Sequence, residues 1–281
     1  MKLISSPLRY PGGKAKLFPF FADLIQVNQL FGCEYREPYA GGAGLALNLL
    51  AGGFVSRIHI NDLDSGIFAF WRTATQSADK LCSLVSNARL DIEEWYRQRE
   101  VWRRPHEHSE AELGFATLFL NRANRSGIIE GAGPVGGYHQ SGSLRLDARF
   151  NKQTVIDRIQ LVGALADRIS VSNVDALEYI QSHTGPNDLT YLDPPYYVRG
   201  QRLYKNFYNH HDHVAISQCV RNMVGSWVVS YDDVGPIREL YSWLMPLELT
   251  LRYTAGTSAT GREIVYFSSH LEVGQERLRV A

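Results

Sequence analysis

The sequence predicts an α/β fold: a mainly parallel sheet covered by helices on both faces, closed by an antiparallel hairpin and interrupted by one mostly helical insertion. Three observations carry this expectation. Short β-branched and aromatic runs alternate with helical periodicities along most of the 281 residues. The last two runs are joined by a segment too short for a crossover helix. The alternation fails in one place, between about residues 78 and 150.

Taken in order, strands are expected at 34–37, 57–62, 168–173, 188–193, 226–231, 248–253 and 262–268. Helical patterns occupy 14–28, 43–52, 63–77, 151–166, 210–224 and 234–243, with a shorter one at 175–182. Only Ala255 to Gly261 separates the last two strands, so these pair as a hairpin. The interruption holds helical patterns at 91–104 and 110–123 and then a glycine-rich stretch, 127–143, with no strand period. Residues 1–77 and 151–281 are therefore expected to form the sheet domain, and 78–150 an inserted domain.

Composition sets broad limits. Hydrophobic residues at 44% and charged residues at 21% suit a globular chain with a sizeable core. Lysine plus arginine equals aspartate plus glutamate, 29 each, which argues against a surface uniformly basic toward nucleic acid and leaves room for a local basic groove. Cys33, Cys82 and Cys219 are scattered without metal-ligand or disulfide spacing, which points to a reducing cytoplasm and no structural metal. The N-terminal residues contain no apolar run of signal-peptide length, and no membrane partner is expected.

The strongest motif is Leu192-Asp193-Pro194-Pro195-Tyr196, at the end of an apolar strand. Two prolines end a strand because neither donates to the ladder. In an open α/β sheet that edge is where ligands bind. An acid, two rigid prolines and an aromatic there suit activation of an exocyclic amine, whose lone pair is otherwise delocalised into its ring. The Asp193 carboxylate and the Pro194 carbonyl can accept the two N–H bonds, with Pro195 fixing the turn and Tyr196 stacking on the base. A strand end followed by a surface turn is the plain alternative.

Further motifs precede it. Leu8-Arg9-Tyr10-Pro11-Gly12-Gly13-Lys14 opens the chain. It is not a P-loop, because Leu8 stands at the first glycine position and Ala15 replaces the magnesium-binding hydroxyl. Glu37-Pro38-Tyr39-Ala40-Gly41-Gly42-Ala43-Gly44 allows close backbone approach to a ligand at a helix start. It lacks the dinucleotide fingerprint, with Leu47 at the third glycine position. Asp62, in Asn61-Asp62-Leu63-Asp64, is placed to bind ribose hydroxyls or to cap the next helix. Asp175 has the same two readings, adenine binding or capping.

Together, and in this order, these segments resemble the Dam-like (D12 class) family of S-adenosylmethionine-dependent DNA adenine N6-methyltransferases over residues 8 to 268. The resemblance implies a Rossmann-like methyltransferase fold and S-adenosylmethionine as cofactor. Cofactor binding is implied for Tyr10, Lys14, Glu37, Pro38, Gly42, Gly44, Asp62, Asp175 and Asp193. Double-stranded DNA is the implied partner, with the target adenine flipped out of the duplex. A restriction enzyme as a second partner is left open, as is the oligomeric state.

Within the insertion, Phe119-Leu120-Asn121-Arg122-Ala123-Asn124-Arg125-Ser126-Gly127 resembles the start of the family's target-recognition segment, which implies DNA contacts by Asn121, Arg122, Asn124 and Arg125. A helix C-terminus with cations on its dipole is the alternative. Ser126 and Glu130 depart from the family's asparagine and arginine, and Gly133 to Gly137 does not match its Phe-Asn-Val-Pro signature. After the catalytic motif, Arg199, Arg202 and Lys205 alternate with aromatics, as in a loop that tracks phosphates. His210-His211-Asp212-His213 is read as a helix start rather than a metal cluster. Cytosine N4 methylation uses the same acid-proline-proline-aromatic device, and a catalytically inactive DNA-binding relative is the alternative from another class. A nicotinamide-dependent oxidoreductase is disfavoured by Leu47.

Overall fold

The computed structural model describes residues 3–9, 13–198, 208–253 and 259–274. Among them, seven strands form one sheet: β1 (Glu34–Glu37), β2 (Arg57–Asn61), β3 (Ile169–Ser172), β4 (Asp188–Leu192), β5 (Ser226–Asp232), β6 (Leu247–Tyr253) and β7 (Ala259–Phe267). Their spatial order is β3-β2-β1-β4-β5-β7-β6. The first five are mutually parallel, and β7 inserts antiparallel between β5 and β6. This is the mainly parallel sheet with an antiparallel end that the sequence pattern predicts, in the Rossmann-like arrangement that the resemblance implies. Every residue of β4 is buried, as expected of a central parallel strand covered on both faces.

The helices around the sheet are α1 (Phe18–Val27), α2 (Gly44–Ala51), α3 (Ser65–Gln76), α7 (Lys152–Ala164), α8 (Ala176–His183), α9 (His210–Arg221) and α10 (Gly235–Leu240). Residues 78–150 contribute α4 (Ala78–Asn87), α5 (Ile92–Arg103) and α6 (Glu110–Ala123) between β2 and β3. Local chemistry sets their starts. Asp64 caps α3 by accepting from Gly66 N at 2.7 Å and Ile67 N at 3.1 Å, and Ser109 and Glu112 form a reciprocal capping box on α6. Asn209 and Asp212 do the same for α9, so the His210–His213 run opens a helix.

Two helices differ from expectation. The pattern at 14–28 divides into a 3-10 turn, Lys14–Leu17, and α1, because Pro19 lacks an N–H and belongs in a first turn. The short helix α4 has only Leu81 and Val85 as its buried face, too thin a stripe to register as a period. The insertion shares the sheet's core: Trp95, Leu118, Phe119 and Phe150 belong to one cluster with Ile58, Ile60 and Leu189. Helix α6 lies close on α3 at Gly114, where a Cβ would stand 2.7 Å from the Ala69 carbonyl oxygen. Among the described residues, no helix is long and apolar enough to cross a membrane.

Candidate active site

Strand order reverses between β1 and β4, which lie side by side and run parallel. Loops leaving their C-terminal ends diverge and open a crevice. A cavity of about 460 Å³ fills it, lined by Glu37 to Gly44, Asp62 and Asp64 on one side and by Lys14, Tyr191, Asp193, Pro195 and Tyr208 on the other. Gly127–Glu130 and the N-terminal residues Leu3–Ser6 also line it.

The β1 side is built by a tight turn. Gly41 and Ala43 both take positive φ, 45° and 42°, and α2 begins at Gly44. Trp71 holds the turn by donating from Nε1 to the Gly41 carbonyl at 2.9 Å, and Asp62 Oδ2 accepts from Gly41 N at 2.8 Å. Asp62 Oδ1 accepts from Asp64 N at 3.0 Å. Asp64, not Asp62, caps α3. Burial, with the Asp64 charge adding to it, pushes the Asp62 carboxyl up to about 7.

Glu37 is buried at the end of β1, where Oε1 accepts from Tyr35 OH at 2.9 Å and from Ala46 N at 3.2 Å. Its burial outweighs those bonds and raises its carboxyl to about 8. Pro38 accepts from Asn61 Nδ2 at 3.0 Å, which ties the loop after β1 to β2.

On the β4 side, Asp193 follows the strand directly and is partly exposed to the cavity. Its Oδ1 lies 2.9 Å from Lys14 Nζ and accepts from Ser230 Oγ at 3.0 Å; Ser230 is 2.7 Å from Tyr191 OH. Both contacts fall on Oδ1, so Oδ2 has no hydrogen-bond partner among the described residues. Tyr196 turns inward: its hydroxyl accepts from Lys14 Nζ at 3.0 Å and donates to Glu263 Oε1 on β7. Lys14 is buried, 5.1 Å above the Tyr196 ring and 3.5 Å from Glu263 Oε1. Asp232, at the end of β5, accepts from Tyr197 N and Val198 N and so anchors the chain that leaves the motif.

The remaining expected residues divide sharply. Lys14 sits against the Asp193–Tyr196 segment, 2.9 Å from Asp193 Oδ1 and 3.0 Å from Tyr196 OH. Asp175 is exposed and caps α8 through Leu177 N at 2.9 Å. Asn121, Arg122 and Asn124 are buried and tied to backbone. Asn121 bonds both Arg9 N and Arg9 O at 2.7 Å, and Gly127 O at 2.9 Å. Arg122 donates to the Pro7 carbonyl, and its burial, compounded by Arg158 and Arg9, lowers its guanidinium to about 9. Asn124 accepts from Trp95 Nε1 at 2.7 Å and donates to Ile128 O. Arg125 alone of the four is exposed. Tyr10, Arg199, Arg202 and Lys205 lie outside the described residues.

Sequence reasoning passed over Glu263, Ser230 and Asp232, whereas Tyr208, one of the aromatics after the motif, lines the cavity. The Glu263 signal was an acid at the head of the apolar run Ile264 to Phe267, and Ser230 had none. Among the described residues there is no group of three or more histidine, cysteine, aspartate or glutamate side chains that could hold a metal ion.

Comparison with known proteins gives one family. The model of the D12 class N6 adenine-specific DNA methyltransferases matches residues 10–254. No curated protein matches the chain. Among solved structures, a conserved hypothetical protein of Streptococcus pyogenes is similar at 12% identity and a TM-score of 0.34, over 86% of this chain and 89% of the other. A Pyrococcus horikoshii chain provisionally assigned as an RNA methyltransferase is similar at 12% identity and a TM-score of 0.44, over 96% and 87%. An rRNA methyltransferase of Streptomyces viridochromogenes is similar at 10% identity and a TM-score of 0.34, over 88% and 83%.

Proposed function

The chain belongs to the D12 class of N6 adenine-specific DNA methyltransferases, and on that premise we propose how its own residues divide the work of methylating the adenine N6 amine in DNA. The cavity fits S-adenosylmethionine as donor. Its β1 side offers backbone in a left-handed turn, a buried carboxyl at Glu37 and a half-buried one at Asp62, beside a volume of about 460 Å³. When bound, that group supplies a methyl already activated by a positive sulfur. Asp62 would take the ribose hydroxyls while keeping Gly41 in place, since each carboxylate oxygen can accept more than one bond. Glu37 would face the cationic end. Pro38, Gly42 and Gly44 shape the wall.

The target adenine enters from the β4 side, flipped out of the duplex. The observation that carries this reading is the asymmetric bonding of Asp193. Lys14 and Ser230 hold Oδ1 and orient the carboxylate, and Oδ2 remains to accept from the N6 amine. The Pro194 carbonyl is the second acceptor, fixed by Pro195. Held by two acceptors, the nitrogen keeps its lone pair for the methyl and afterwards gives up one proton. Orientation and electrostatics are the protein's contribution. Residues 78–150 are the target-recognition insertion, with Arg125 its exposed contact beside the cavity-lining segment Gly127–Glu130.

The test is Asp193→Ala. Methyl transfer to DNA should vanish while circular dichroism shows the folded chain; near-normal turnover would remove Asp193 from the mechanism.

A further inference from the structure

Glu263 is the acid that this reaction scheme leaves without a task. It sits in β7 opposite Asp232 of β5 and Leu249 of β6, about 1% exposed, and is followed along the strand by the buried Ile264, Val265 and Tyr266. A carboxylate in such a place costs several kcal/mol of desolvation, and a well-packed apolar side chain is often as stable or more so. Among the described residues, Lys14 and Tyr196 offset that cost, and both belong to the site. Tyr196 OH donates to Glu263 Oε1, and Lys14 Nζ lies 3.5 Å from the same oxygen, 2.9 Å from Asp193 Oδ1 and 3.0 Å from Tyr196 OH. One ammonium is thus shared between two carboxylates.

We propose that Glu263 is a positioning residue for methyl transfer. It draws part of the Lys14 charge and the Tyr196 hydroxyl toward β7, so that Asp193 stays oriented without being fully neutralised as an acceptor. Lys14 alone on Asp193 would compete with the incoming amine for the carboxylate. With Glu263 opposite, the ammonium is held from both sides and Asp193 keeps its accepting power. The inference rests on the reading of Asp193 as the amine's acceptor.

The groups around Glu263 are Lys14 from the N-terminal turn, Asp193 and Tyr196 after β4, Tyr191 of β4 and, opposite Glu263 in β5, Asp232. Burial raises the Glu263 carboxyl, with Lys14 opposing and Asp193 reinforcing the shift. Removing its charge takes an anion away from Lys14 and leaves the ammonium drawn more strongly to Asp193, where it competes with the incoming amine.

Single-turnover methylation, with cofactor and DNA saturating, should therefore be followed against pH for Glu263→Gln and Glu263→Asp. We expect Glu263→Gln to lose about tenfold or more in rate at neutral pH. Its cofactor dissociation constant should stay within about twofold of the parent, and its profile should lose the fall toward acid pH that protonation of the buried Glu263 gives the parent. Glu263→Asp, which restores the charge, should bring the profile back. A normal rate in Glu263→Gln, a lower rate with an unmoved profile, or loss of the folded signal would each overturn the proposal; the last would make Glu263 a packing residue. The Asp193→Ala variant separates the two layers. If it is active, the underlying reading falls. If it is inactive while Glu263→Gln is normal, only this inference falls.

Discussion

The turn at Asp193–Tyr196 and the turn at Asn121–Gly127 are both rich in buried polar side chains, and they use them in opposite ways. In the first, Asp193, Tyr196, Lys14, Glu263 and Ser230 bond to one another's side chains from four separate stretches of chain, with a cavity on one flank. In the second, Asn121, Arg122 and Asn124 bond chiefly to backbone: Arg9, Gly127, Pro7, Ile128 and Ile129. Side chains satisfied by backbone fix the path of a loop. Side chains satisfied by other ionisable side chains beside a cavity can exchange those partners for a substrate. A motif's residue types do not tell these cases apart; the class of partner does.

That contrast can be broken by substitution, and the largest expected effect is at Asp193. Asp193→Asn should lose about two to three orders of magnitude in methyl-transfer rate, because an amide oxygen is a weaker acceptor and its NH2 opposes the amine. Thermal stability should change little; a large loss of stability would place this turn with the scaffold. Asn124→Ala should do the reverse. It removes the partner of Trp95 Nε1 and two carbonyl bonds and should cost about 1–3 kcal/mol in urea melts. Its activity per folded molecule should be near normal, and a rate collapse without destabilisation would make this turn part of the chemistry.

Smaller effects sharpen the contrast. Asp62→Ala should weaken S-adenosylmethionine binding by about 1.5–3 kcal/mol in calorimetric titration, and an unchanged constant would leave Asp62 only its bonds to Gly41 N and Asp64 N. Arg125→Ala should lower DNA affinity and leave cofactor affinity alone. A phosphate contact would reduce the salt slope by about one, whereas a base contact would relax the choice of sequence at one position. Equal binding at every salt concentration would move recognition away from this turn.

The β1 side of the cavity also responds to pH. Glu37 and Asp62 have folded values of about 8 and about 7, raised by burial from the ordinary carboxylate range. Raised acids favour the folded state fully below their unfolded values and lose that contribution as pH rises through the folded ones. The cofactor-free protein should therefore lose stability from these groups between about pH 4 and pH 8. Glu37→Gln should flatten part of that decline in melts at a series of pH values; an unaltered slope would show that Glu37 does not ionise there.

Much of this was legible in the sequence. Alternating runs point to the sheet, Asp193-Pro194-Pro195-Tyr196 to the turn at the cavity's β4 side, and Gly41 to Gly44 with Asp62 to the opposite wall, because each depends on short-range rules of strands, prolines and left-handed turns. Glu263 and Ser230 were not legible as site residues. Their proximity to Asp193 follows from β5 packing beside β4 and from β7 returning antiparallel between β5 and β6, a matter of long-range pairing. Lys14 was read with the cofactor because its own segment says nothing of Tyr196, 182 residues away. Asn121, Arg122 and Asn124 suit DNA by residue type, and only the fold shows them turned toward the backbone.

The central claim is that Asp193 serves an adenine amine. DNA from a methylation-free host expressing either the wild-type chain or Asp193→Ala, sequenced with detection of modified bases, tests it most directly. The account predicts N6-methyladenine in one sequence context with the wild type and none with the variant. Methylated cytosine amines in the wild-type sample, or N6-methyladenine persisting with Asp193→Ala, would contradict it.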